Sequence, residues 1–377
     1  MAPRKPTVLV FGTYDLGDVR PRTVCAAMRS LGWRLRICQG VMWPDAAAKL
    51  TVAKGRGTWR ALVRAAFVYP RLILRALAQA PFDLMLVTSG GYLDILFGWW
   101  IARVAGARLI FDPLYGLYET IVEDRQLAAP HGLWARLVRL IERLCFRLAD
   151  VVLVDTEEHR EYFAAHVGLS PRRIMVIPVG AEDDLFAEPL TGPARKPSEP
   201  LEVLFYGSMI PLHGADTIVR AAHLLGDADV RFTLVGQGQT SAQLEAMARD
   251  LGCTNLRFVG NVPYGAILAM IRQADVCLGI FGTTRKTQLV VPTKVFECVA
   301  AGKPVVTGDT PAVRRLFHVG DHLLAVPCGD AEALAQAVLR LRRDVALRRS
   351  LGQAARQWYL ERFTARALAE PLRALEG

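Results

Sequence analysis

Six consecutive residues, Pro292-Thr293-Lys294-Val295-Phe296-Glu297, concentrate reactive side chains at one point of this 377-residue chain. Pro292 and, beyond Ala301, Gly302 punctuate a helix over Thr293–Ala301. A helix start offers unbonded backbone N–H groups and the positive end of the macrodipole, a setting that suits a diphosphate. Thr293 adds a hydroxyl there and Lys294 a full positive charge. Glu297 is poorly placed for an anion, but its carboxylate can accept two hydrogen bonds from ribose hydroxyls. The competing reading is a solvated i,i+3 ion pair between Lys294 and Glu297. Spacing alone leaves both readings open.

Other candidates stand where strands run out. Gly12-Thr13-Tyr14-Asp15 follows the first apolar run, and Asp112 opens the loop Asp112-Pro113-Leu114-Tyr115-Gly116-Leu117-Tyr118-Glu119. Polar and aromatic residues in such a loop can grip a sugar or orient a hydroxyl, or Asp112 can simply cap the next helix. Thr156 reads as an N-cap, with His159 behind it. Gly282 leads into a polar loop that carries Arg285 and Lys286. Asp227-Ala228-Asp229 matches a metal-binding D-x-D but precedes a strand, so it reads as a turn. There is no P-loop, no H-E-x-x-H and no G-x-S-x-G, so a metal-free reaction is the expectation.

These residues need a scaffold. Short Val/Ile/Leu/Phe runs recur at Thr7–Phe11, Arg34–Cys38, Leu84–Thr88, Arg108–Phe111, Val151–Val154 and Ile174–Ile177. A second set lies at Val203–Tyr206, Arg231–Val235, Leu256–Val259, Val276–Phe281, Pro304–Thr307 and Leu323–Val326. Continuous apolar runs alternating with helical stretches predict parallel strands covered on both faces. The chain is therefore expected to be α/β, with two doubly wound Rossmann-like domains. The expected boundaries are 1–186, a Pro-rich linker 187–200, 201–355, and a C-terminal helix 356–377 packing back on the first domain. Ligands of such sheets bind beyond the carboxyl ends of the strands, so two facing domains would form a cleft.

From Leu201 to about Phe363 the sequence resembles the C-terminal domain of family 4 glycosyltransferases, which have the GT-B fold. The resemblance rests on ordered pieces: Tyr206-Gly207-Ser208, His213-Gly214-Ala215-Asp216, Leu234-Val235-Gly236-Gln237-Gly238, Phe258-Val259-Gly260-Asn261-Val262, Ala274-Asp275-Val276 and Glu297 through Val306. Gly12-Thr13-Tyr14-Asp15 and Val176-Ile177-Pro178-Val179-Gly180-Ala181 extend it, more loosely, to the first half. The resemblance implies sugar transfer with retention from a nucleotide diphosphate sugar, a UDP- or GDP-sugar, to a lipid-linked or cell-surface glycan precursor. It implies Glu297 on the donor ribose, Thr293 and Lys294 facing the diphosphate, and backbone near Val262 on the base. Gly12, Gly207, Ser208, Gly236, Gly282 and Lys286 complete the expected donor contacts, and Asp112, Lys294 and His213 are the expected catalytic residues. The sequence departs from the family at three points. Leu289 replaces a Glu eight positions before Glu297, Ser208 an Arg, and His213 a Lys. These departures keep two alternatives in view: a non-catalytic GT-B subunit that binds nucleotide or lipid, and a transferase acting on a soluble natural product.

Composition narrows the partners. The formal charge is +10, and only seven of the 46 basic residues are Lys. This favours anionic partners, while no nucleic-acid-binding motif is present. Residues 46–82 hold no acid, and Arg60, Arg64, Arg71 and Arg75 share one helical face, which predicts contact with an anionic membrane. The ordinary alternative is a solvated helix face. Pro70 should kink or split this helix. The stretch Tyr92–Ile110 is the most apolar, yet Asp94, Arg103 and Arg108 interrupt it, so it reads as a buried helix plus a strand rather than a membrane span. Seven scattered cysteines without a C-x-x-C pair fit a reducing compartment. With no leader pattern at the start, the expectation is a cytoplasmic protein, peripheral on the inner face of the plasma membrane.

Overall fold

The computed structural model describes residues 4–15, 17–42, 58–192 and 199–376; of residues 58–62 only the helical backbone is described. The chain forms two compact units, Met1–Pro178 with Ala365–Gly377, and Val179–Thr364. Residues 193–198 of the expected linker lie outside the described residues.

The first unit is built on a six-stranded parallel sheet: β1 (Thr7–Gly12), β2 (Arg34–Gln39), β3 (Leu84–Thr88), β4 (Arg108–Asp112), β5 (Val151–Val154) and β6 (Ile174–Val176). Its order is β2-β1-β3-β4-β5-β6. The switch between β1 and β3 is where such sheets open for ligands. The connecting helices are α1 (Val19–Ser30), α2 (Thr58–Leu77), α3 (Asp94–Ala105), α4 (Leu133–Leu148) and α5 (Glu157–Val167), with one π-helical turn at Glu119–Asp124. Val8, Val10, Leu86, Ile110 and Phe111 are sealed in the core, as strands covered on both faces require. Helix α2 continues through Pro70, so the expected split does not occur. Pro70 and Ala66 are both exposed, so the carbonyl that loses its bond faces water.

The second unit repeats the plan with β7 (Leu201–Tyr206), β8 (Val230–Val235), β9 (Leu256–Val259), β10 (Val276–Leu278), β11 (Val305–Gly308) and β12 (Leu324–Val326), in the order β12-β11-β10-β7-β8-β9. Its helices are α6 (Ala215–Leu224), α7 (Ser241–Asp250), α8 (Tyr264–Gln273), α9 (Arg285–Leu289), α10 (Thr293–Ala300), α11 (Pro311–Leu316), α12 (Ala331–Arg343) and α13 (Val345–Arg362). Val203, Phe205, Phe232, Leu234, Val219 and Val338 anchor one core face. Strand β10 stops three residues before the predicted Phe281; the Ile280 N–H leaves the ladder and donates to the Thr307 hydroxyl at 3.2 Å.

The last segment, α14 (Ala365–Leu368) and a 3-10 turn at Pro371–Leu375, belongs to the first unit and packs on α1. Leu368, Leu372 and Leu375 are buried. Trp33 Nε1 and Lys5 Nζ both donate to Glu376 Oε1, at 2.8 and 2.9 Å.

Candidate functional site

At the carboxyl edge of the second sheet, three loops close on one another through glycine. Gly207 follows β7 with φ +139°, and Gly236 follows β8 with φ +118°. A Cβ on Gly236 would stand 2.2 Å from the Gly207 carbonyl oxygen, so only glycine fits these crossing turns. A Cβ on Gly282 would meet the Leu212 carbonyl at 2.4 Å, which seats the loop after β10 against the turn Pro211–His213.

Lys294 lies against this glycine framework. Its side chain rises from the first turn of α10 and is 5% exposed. Among the described residues its Nζ has no hydrogen-bond acceptor. Its neighbour is the Phe205 ring, 4.0 Å away to the centroid, a cation–π contact. A Cβ on Gly207 would stand 2.7 Å from Nζ. Burial pushes the ammonium down to about 7, with Cys298 and Glu297 pulling weakly the other way. A buried ammonium with no hydrogen-bond acceptor among the described residues is costly, and an arriving phosphate would relieve that cost. The helix start is uncapped: Pro292 is extended at the N-cap and no side chain bonds the first N–H groups. Thr293 is half-buried at this end.

His213 stands on the same side of Gly207, with Nδ1 against the Ser208 carbonyl and its ring edge-on to Phe205 at 5.6 Å. Its Cε1 would be 3.1 Å from a Cβ on Gly207. Lys294, His213, Gly207 and Ser208 are thus brought together as the sequence predicts.

Glu297 is 2% exposed and both of its oxygens are engaged. Tyr206 donates to Oε2 and Tyr264 to Oε1, each at 2.6 Å. Burial raises the carboxyl pKa, and the two tyrosine hydrogen bonds oppose the rise. The surface ion pair with Lys294 is therefore not what forms. Tyr206 is fully enclosed, whereas Tyr264, at the start of α8, is only half-buried. Tyr264 was not foreseen. Its only mark in the sequence is a polar aromatic after Pro263, two residues past Val262, which itself lies half-buried in the loop after β9.

Leu289 packs with Leu212, Ile280 and Val290 in a small apolar cluster, so the position where a carboxylate was missed is filled by packing. Lys286 is buried on the five-residue α9. Asp227 and Asp229 form the turn before β8, where Asp229 pairs with Arg342 at 2.7 Å. No cluster of His, Cys, Asp or Glu that could hold a metal occurs among the described residues.

In the first unit the structure corrects the reading of Asp112. It is fully buried, and Arg20 grips it with Nη2 at 2.9 Å and Nε at 3.0 Å, while the Thr88 hydroxyl donates to Oδ2 at 2.8 Å. Arg20 also reaches the Pro178 carbonyl at 3.1 Å. With both oxygens so held, Asp112 ties β4 to α1 and the chain after β6 and is not presented to a substrate. Gly12, with φ +139°, instead faces Asp94. Asp94 accepts from the Thr13 N–H at 2.9 Å and from the Tyr69 hydroxyl at 2.8 Å, and a Cβ on Gly12 would stand 2.7 Å from it. Thr156 caps α5 through the His159 N–H. His159 is enclosed between Asp155 and Glu119; burial alone would lower its pKa, but the two carboxylates push it up to about 10. Arg64 and Arg75 turn onto the carbonyls of Met42 and Gln39, at 3.5 and 3.2 Å, and Arg71 is exposed; the Arg60 side chain lies outside the described residues.

Two family models match the chain: "Glycosyl transferases group 1" over residues 189–358, and "Glycosyl transferase 4-like domain" over residues 18–180. Among characterised relatives, D-inositol 3-phosphate glycosyltransferase of Corynebacterium aurimucosum is 28% identical over 58% of this chain and 54% of its own length. Phosphatidyl-myo-inositol mannosyltransferase of Mycobacterium leprae is 37% identical over 32% of this chain and 30% of its own length. The match thus spans about half of these relatives or less. It is longer, 75% of this chain and 74% of the relative, with the 29% identical 2-deoxystreptamine glucosyltransferase of Streptomyces kanamyceticus. Among solved structures, sucrose-phosphate synthase from Thermosynechococcus elongatus superposes with a TM-score of 0.73 at 18% identity, covering 99% of this chain and 98% of that one. Anabaena HepE, solved with UDP and glucose, superposes with a TM-score of 0.67 at 14% identity, covering 98% of this chain and 99% of that one.

Proposed function

We propose that this chain, which belongs to the family 4 glycosyltransferases and has their GT-B fold, transfers a sugar with retention from a nucleoside diphosphate sugar to a glycan or lipid-linked acceptor. The observation that carries the proposal is Lys294, a buried ammonium without an acceptor at the uncapped start of α10. A donor diphosphate supplies the missing anion. Lys294, the Thr293 hydroxyl, the α10 N–H groups and His213 then stabilise the charge that grows on the leaving phosphate as the bond to the anomeric carbon breaks. The departing phosphate oxygen takes the acceptor's proton on the same face, so the reaction needs no strong base from the protein. Glu297 receives the ribose hydroxyls, and the half-buried Tyr264 gives up its place on Oε1.

UDP or GDP is the proposed carrier; the relative solved with UDP supports the first. Relatives named for a phosphatidyl-inositol acceptor support a lipid-linked one here, reached by peripheral contact with the inner face of the plasma membrane. Among the described residues no helix is long and apolar enough to cross a membrane. The relative named for a soluble aminocyclitol keeps a soluble acceptor as an outcome of the test. The apolar packing of Leu289 favours one further reading, a non-catalytic nucleotide-binding subunit. Incubating the purified chain with UDP- and GDP-sugars, with and without lipid extracts, separates them. Release of nucleoside diphosphate with labelling of an acceptor is expected. Tight nucleotide binding with neither hydrolysis nor transfer would establish the non-catalytic reading instead.

A further inference from the structure

Helices α3 and α4 turn apolar side chains away from the unit they belong to. Along α4, Leu133, Leu137, Leu140 and Leu144 recur at i, i+4, i+7 and i+11, with Trp134 alongside. Leu133 is 82% exposed, Leu140 65% and Leu144 51%. The other side of the same helix buries Ala135, Val138, Cys145 and Phe146. Helix α3 packs against α4 and adds Trp99, Trp100 and Val104, all exposed. Both helices are crossovers between successive parallel strands, so right-handed connection sets them on one side of the sheet. Single exposed leucines are ordinary, but an ordered row beside two neighbouring tryptophans is not.

The exposed charge on α4 itself is of one sign. Arg136 and Arg147 are exposed on α4, while Arg143, also exposed, donates to the His166 carbonyl at 3.1 and 3.2 Å. The one acid of the helix, Glu142, is buried; it accepts from the Tyr118 N–H at 3.1 Å and pairs with His166 at 3.3 Å. A face made of leucine, tryptophan and arginine matches the depth profile of an anionic bilayer, with acyl chains below and phosphates at the rim.

We propose that the α3–α4 face docks on an anionic lipid surface, the leucine row and the tryptophans entering the acyl boundary and Arg136 and Arg147 lying at the phosphates. The proposal rests on the reading of the acceptor as lipid-linked and gives that reading a surface. It moves the contact away from the arginine stripe of α2, where Arg64 and Arg75 are turned onto backbone carbonyls. A second copy fits the face poorly, because a two-fold pairing would set the arginine rows together with no exposed acid on α4 between them.

The test is cosedimentation with vesicles of phosphatidylcholine alone and of phosphatidylcholine with phosphatidylglycerol. The wild type binds the anionic vesicles, and Leu140→Glu with Leu144→Glu weakens binding about tenfold or more. Arg136→Glu with Arg147→Glu weakens it in a salt-dependent way, and Arg71→Glu with Arg75→Glu does less. Thermal stabilisation by nucleoside diphosphate persists in every variant, which reports an intact fold and keeps the donor reading separate. Vesicle binding equal in the leucine variants and the wild type, or absent from the wild type, overturns the proposal. So does light scattering in which the leucine changes turn a dimer into a monomer while vesicles are ignored; the face would then belong to a second copy. A chain that binds vesicles through the leucine row yet glycosylates only soluble acceptors keeps the surface and discards the lipid-linked acceptor.

Discussion

At the carboxyl edge of the first sheet the buried Arg20 meets Asp112 at 2.9 Å, with Thr88 closing the remaining oxygen; at the corresponding edge of the second, the buried Lys294 meets no acceptor among the described residues. Both are cations taken out of water, and each desolvation carries a cost. In the first unit the protein supplies the counter-charge itself, so the pair holds elements together. In the second the counter-charge has to arrive with a ligand. Glu297 lies between these extremes, satisfied by two tyrosines of which one is partly open to solvent. Burial alone therefore does not separate structural from functional charge. The missing partner does.

The largest effect expected from this contrast is on stability. Arg20→Ala leaves Asp112 buried and unpaired and is expected to destabilise the first unit by about 3–5 kcal/mol in urea unfolding. A loss below about 1 kcal/mol would mean the pair is not structural. Lys294→Met should do the reverse, removing about 10²–10³-fold of the turnover while leaving the melting temperature unchanged or higher. A variant that keeps its activity but melts early would place Lys294 among the structural charges.

Tyr264→Phe is a smaller change. If the hydroxyl only holds the place of a ribose hydroxyl on Glu297, the variant binds nucleoside diphosphate a few-fold more tightly, within the ~1 kcal/mol of one hydrogen bond. Weaker binding would show that Tyr264 positions Glu297 for the ribose.

The remaining contrast lies in pH. His159 has its pKa raised from 6.5 to about 10, so its stabilisation is complete below the unfolded value and fades as pH climbs through that window. Lys294 is lowered from 10.5 to about 7; the unfolded chain holds more protons between those values, so the cost of burying it eases as pH rises. Hydrogen exchange read separately for the two units between neutral and alkaline pH should give slopes of opposite sign from these groups. His159→Gln should flatten the first and Lys294→Met the second.

Much of the scaffold was legible because a parallel strand covered on both faces writes itself as a continuous apolar run, and every predicted run overlaps a strand. The Pro292–Glu297 helix start was legible for a similarly local reason, since caps and dipoles are set by adjacent residues. Asp112 was misread because its partner stands 92 positions away, and nothing near it in the sequence marks Arg20 as that partner. Tyr264 was missed for the same reason, lying 33 positions before the carboxylate it binds. The outer face of α3 misled in another way: the stretch Tyr92–Ile110 reads as a buried helix, yet Trp99, Trp100 and Val104 are exposed. Hydrophobic sequence predicts burial, and only the fold shows which apolar side chains are left outside.

The central claim, that Lys294 awaits the donor diphosphate, is tested most directly by thermal shift of the wild type and Lys294→Met across rising UDP and GDP. One nucleotide is expected to stabilise the wild type in a concentration-dependent way, and Lys294→Met to lose most of this response. Equal shifts in the two proteins would contradict it.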